Sequence, residues 1–138
     1  MVKNKCLREV SMTPTAIDNQ VEMLIAKIRH YLITMMGRVV EDANPDEFYR
    51  ALCYSLREAV VINWQASFRT QFRRDVRTVY YLSLEYLPGR ILSNNITNLC
   101  MNDVVMAVAQ KLNRNFSEIL SREQDPGLGN GGLGRLAS

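Results

Sequence analysis

Thr78-Val79-Tyr80-Tyr81-Leu82-Ser83-Leu84-Glu85 is a β-branched and aromatic run, and Pro88-Gly89 closes it. It does not alternate between polar and apolar, so it predicts a strand near 78–85 buried on both faces, as in a parallel sheet covered by helices. Such a strand needs neighbours, and no other stretch offers them. The fold class that follows is α/β in kind but mostly helical within these 138 residues, with the partner strands expected outside them.

The helical patterns lie on both sides of that run. From Asp18, apolar residues fall at Val21, Leu24, Ile25, Ile28, Tyr31, Leu32 and Met35, one helical face that Gly37 can stop. Met23, Met35 and Met36 read as core filling. Asn44-Pro45-Asp46-Glu47 marks a second start, with Asn as cap, Pro at the first helical position and acids at the positive end of the dipole. That helix should run to about Thr70, and the apolar circumference of its second half predicts deep burial. Arg69, Arg73, Arg74 and Arg77 read as a solvated helix end, with an anion contact as the alternative. Shorter helical patterns follow over Arg90–Leu99, Asp103–Leu112 and Phe116–Leu120. Residues 1–16 read as a loose arm, and residues 17–138 as one incomplete domain.

Composition narrows the function classes. Apolar residues at 47% and charged residues at 22% are globular values, and a net charge of +3 is too small for phosphate-backbone binding to lead. Three scattered cysteines and one histidine supply neither a disulfide framework nor a metal site, which fits a cytoplasmic protein. No signal-peptide pattern and no run of about 18 apolar residues points to export or a membrane.

Five of the seven glycines stand within eight residues, Gly127-Leu128-Gly129-Asn130-Gly131-Gly132-Leu133-Gly134. Glycine lets the backbone approach a ligand closely, and a helix beginning just after the loop offers free N–H groups and a positive dipole end. That combination makes a cradle for phosphate or another oxyanion. A flexible surface loop is the plain alternative. A dinucleotide fingerprint fits Gly127, Gly129 and Gly132 formally, but a helix-like stretch rather than a strand precedes it.

Two stretches carry a family resemblance. Tyr80-Tyr81-Leu82-Ser83-Leu84-Glu85-Tyr86-Leu87-Pro88-Gly89-Arg90 and Asp125-Pro126-Gly127-Leu128-Gly129-Asn130-Gly131-Gly132-Leu133-Gly134-Arg135-Leu136-Ala137 resemble signature segments of the α-glucan (glycogen/starch) phosphorylases, in the family's order and at about its spacing. The resemblance extends over roughly Asn19 to Ser138 and implies the N-terminal portion of a two-lobed α/β glycosyltransferase of the GT-B type. It implies a complete cytoplasmic enzyme, usually a homodimer, that cleaves terminal glucose from an α-1,4-glucan with inorganic phosphate to give glucose 1-phosphate. It also implies pyridoxal phosphate, whose phosphate group relays a proton. Gly131, Gly132 and Leu133 would then turn backbone N–H groups toward sugar and phosphate, Asn130 would brace the loop, and Glu85 would lie close to it.

The family's Schiff-base lysine has no counterpart here, since Lys3, Lys5, Lys27 and Lys111 do not fall in that motif. The resemblance therefore assigns no catalytic residue to this chain, which alone should be inactive and prone to aggregate. Where the animal enzymes place an acid and an aromatic for nucleotide activation, Val39 and Phe72 stand here, so activation of that kind is not expected. The alternative from another class is a non-catalytic, truncated binding or interaction module.

Overall fold

The computed structural model describes residues 14–129, and the architecture over that range is helical. Helix α1 spans Pro14–Met36. It begins four residues before the periodic stretch, with Pro14 in the first turn, where a missing N–H costs nothing. Val21, Leu24, Ile25, Ile28 and Leu32 form its buried stripe. Gly37, at φ +64°, ends it by donating its N–H to Ile33 at 3.1 Å. Met36 packs against the core, whereas Met23 and Met35 face solvent, contrary to their reading as core filling.

Helix α2, Pro45–Arg74, starts on a closed capping box. The Asn44 side chain accepts from the Glu47 N–H and the Glu47 carboxylate accepts from the Asn44 N–H, each at 2.9 Å. A short turn joins α1 to α2, and Lys27 paired with Glu58, beside Tyr31 stacked near Tyr54, sets the two helices antiparallel. Phe48, Ala51, Leu52 and Leu56 meet the α1 stripe, and the Arg114 guanidinium covers the Phe48 ring from 5.6 Å.

Helices α3 (Leu92–Asn98), α4 (Asn102–Lys111) and α5 (Phe116–Ser121) complete the described elements. Helix α4 packs on α1 through Val104, Val105 and Val108, and α5 packs on α2. Three helix ends use left-handed residues other than glycine: Asp75, Cys100 and Asn113. After each, the next N–H reaches back five residues, as from Met101 to the Ile96 carbonyl at 3.0 Å and from Arg114 to that of Ala109 at 2.8 Å.

Two expectations are corrected. The buried strand near 78–85 does not form: Val79, Leu82 and Leu84 are each more than 90% exposed, and the described backbone pairing is a single bridge at Tyr86. A β-run realises its burial only against neighbouring strands, and the described residues supply none. The second half of α2 is likewise open to solvent, with Ile62, Trp64, Phe68 and Phe72 exposed. At 30 residues α2 is about 45 Å long, and its partners α1 and α5 cover only the first half.

Cys53 is a free, half-buried thiol. The arginines Arg69, Arg73, Arg74 and Arg77 are all exposed.

Candidate functional site

The approach to the glycine loop is built by two segments, 85–92 and 123–129, lying antiparallel. Tyr86 and Leu128 exchange both backbone hydrogen bonds, Leu128 donating to the Tyr86 carbonyl at 2.6 Å. Five residues away along each segment, in the same register, the Glu123 carboxylate accepts from the Ile91 N–H at 2.7 Å and from the Leu92 N–H at 3.0 Å. The two conspicuous sequence stretches, some forty residues apart in the chain, are thereby joined at their facing ends.

Within this clamp Gly129 is held at φ +153°, and a Cβ there would stand 3.1 Å from the Glu85 Cβ and 3.2 Å from its Cγ. A side chain would be strained by the backbone and crowded by Glu85 together, so the position fits glycine. Glu85 therefore lies directly against the start of the glycine loop, half-buried, with its own N–H on the Ser83 hydroxyl at 3.0 Å. Asn130, Gly131, Gly132 and Leu133 lie outside the described residues.

Glu123 is 6% exposed, and no local motif marks it. Its partners are 31 and 32 residues away, a separation that no periodicity reports. The neighbouring Arg122 turns to Glu118 at 3.3 Å and Asp46 at 3.9 Å, leaving the Glu123 charge to the backbone donors.

Beside the clamp is an open cavity of about 330 Å³ between the middle of α2 and the start of α3, lined by Tyr49, Cys53, Leu56, Leu92, Glu123 and Pro126 among others. Burial pushes the Cys53 thiol up, and the nearby Glu123 charge adds to the rise while a hydrogen bond with Tyr49 opposes it. Burial, followed by the hydrogen bond to Cys53, also pushes the Tyr49 phenol up. Both groups stay neutral near pH 7, so the wall of the cavity is uncharged apart from Glu123 and Arg57.

The described lysines are engaged elsewhere. Lys27 pairs with Glu58, and Lys111 with Glu22 at 2.8 Å, both on the α1 side of the core. Neither lines the cavity or the clamp. Among them no three His, Cys, Asp or Glu side chains converge as metal ligands, and no helix is long and apolar enough to cross a membrane.

No family model matches the chain. Curated proteins do match it along most of its length. "Glycogen phosphorylase" of Pasteurella multocida is 40% identical over 118 residues, which is 86% of this chain and 14% of that enzyme. "Alpha-glucan phosphorylase 1" of Arabidopsis thaliana is 44% identical over 94 residues, 68% of this chain and 10% of that protein. "Glycogen phosphorylase, muscle form" of Ovis aries is 35% identical over 125 residues, 88% of this chain and 14% of that protein. The chain thus belongs to the α-glucan phosphorylase family, a family of glycosyltransferases. Within that family the 118- and 125-residue matches above are to glycogen phosphorylases, of which the chain spans a small part.

Proposed function

We propose that these residues are the part of an α-glucan phosphorylase that carries the glycine loop to the reacting sugar and phosphate. The observation that supports this most is the antiparallel clamp, in which Leu128 pairs with Tyr86 and Gly129 rests on Glu85. It fixes the backbone at Leu128 and Gly129, immediately before the rest of the loop sequence. The loop N–H groups of Gly131, Gly132 and Leu133 then serve as donors to oxyanions of the transition state, with Asn130 and Glu85 bracing them.

The complete protein, on this reading, is a two-lobed GT-B enzyme. It cleaves the terminal α-1,4 bond of a glucan with inorganic phosphate, releases glucose 1-phosphate, and works as a cytoplasmic homodimer. Pyridoxal phosphate belongs to the complete enzyme on this reading, with its Schiff-base lysine supplied from outside these 138 residues.

The test replaces the matching 118 residues of the Pasteurella multocida enzyme with those of this chain and measures glucose 1-phosphate release. Gly132→Val in that chimaera keeps the N–H but puts a branched side chain where the backbone must approach the substrate, and displacing that donor should lower kcat by about 100-fold, the loss typical of losing an oxyanion contact. An unchanged kcat would remove the loop from the reaction.

A further inference from the structure

We infer that Glu123 is a positioning residue for the glycine loop, its buried carboxylate fastening the approach to the loop onto the start of α3. This rests on the reading above that the loop faces sugar and phosphate. Helix α3 has no side-chain cap of its own, since Ile91 occupies the cap position. Its first N–H groups would be left without acceptors if Glu123 did not take them, at 2.7 Å from Ile91 and at 3.0 and 3.2 Å from Leu92. A carboxylate resists burial unless its oxygens are hydrogen-bonded, so Glu123 can sit at 6% exposure only while it holds those donors.

The mechanical consequence lies in the five residues that follow. Helix α5 ends at Ser121, and between Glu123 and Leu128 the described backbone makes no hydrogen bond. Residues 124–127 are therefore a strap hydrogen-bonded at its two ends, with Gly127 close against the Leu87 side chain between them. The Leu128 end is a backbone pairing with Tyr86 that a wide range of side chains would permit. The Glu123 end depends on the side chain, and a charged acceptor there sets where the strap leaves the helical body. Losing it frees one end of the strap and lets the glycine loop depart from the position in which its N–H groups meet substrate.

Hydrogen exchange on the 138-residue chain tests this, comparing Glu123→Ala and Glu123→Gln with the parent. Glu123→Ala should speed exchange roughly tenfold or more at Ile91, Leu92, Tyr86 and Leu128, whose N–H groups are the hydrogen-bonded ones of the clamp, leaving α1 and the first half of α2 unchanged. Glu123→Gln, which keeps an acceptor oxygen, should fall between. Equal acceleration throughout α1 and α2 would show a general structural prop instead, and unchanged exchange at Tyr86 and Leu128 would show no hold on the strap at all; either overturns the inference. Should the alanine variant fail to fold, the same comparison is made on Glu123→Gln alone, where no selective change at Ile91, Leu92, Tyr86 and Leu128 overturns it.

In the chimaera, Glu123→Ala should lower kcat about tenfold with a smaller change in the KM for phosphate, and Glu123→Gln should restore most of it. A kcat unaffected by Glu123→Ala overturns the role in positioning. A parent chimaera without activity would instead sink the functional reading, while the exchange result would still decide whether Glu123 holds the strap.

Discussion

Asn44 and Glu47 satisfy two of the orphan donors at the start of α2 by closing on each other, so the helix begins at a fixed residue rather than fraying. Asn44→Ala removes the acceptor for the Glu47 N–H and should cost about 1 kcal/mol in denaturant unfolding, whereas a cap without consequence would leave the midpoint unmoved. At Glu58 the prediction concerns pH. Hydrogen bonds from Lys27 and then Tyr31 hold its carboxyl below the ordinary carboxylate range. A depressed folded value means the stabilisation is present above the unfolded value of about 4.3 and lost as pH falls through the lower folded one. Because the pair is more than a third exposed, the effect should be no more than about 1 kcal/mol. Thermal melts across that acid range should show this loss, and Glu58→Gln should abolish it; identical pH profiles would show that Glu58 does not contribute. The Asn44 start was legible in sequence because a cap is a local device. The turns at Asp75 and Cys100 were not, since the residues there lack the glycine or asparagine that usually announces a left-handed position.

At the scale of elements, α2 joins two unlike halves. Phe48 is buried against α1 and covered by Arg114, so Phe48→Ala should cost about 3–5 kcal/mol. Phe68, on the open half, stacks only near Trp64 at 6.0 Å. Phe68→Ser should change stability by less than about 0.5 kcal/mol while lowering the binding of a hydrophobic dye. If Phe68→Ser destabilised the fold as much as Phe48→Ala, the second half of α2 would have a partner. The helices were legible because their 3.6-residue periodicity is written in contiguous residues. The burial of 78–85 and of the distal α2 half was read from composition, which reports what a segment could bury but not whether a partner is at hand. The glycine loop was visible for a similar reason, as a local excess of one residue type. Glu123, whose partners are 31 and 32 residues away, left no such trace.

At the scale of the whole molecule, a small helical core of α1, α2 and α4 supports a clamp that joins 85–92 to 123–129, while exposed apolar segments at 60–72 and 79–84 lie open. That division is what a small part of a much larger enzyme would show, and the curated relatives share only 10 to 14% of their length with this chain. The transplant into the Pasteurella multocida enzyme is the most direct measurement of this account. If these residues carry a phosphorylase glycine loop on a correctly built approach, the chimaera should release glucose 1-phosphate from an α-1,4-glucan and phosphate within about tenfold of the parent rate. A chimaera that folds and assembles like the parent but releases no glucose 1-phosphate would contradict it.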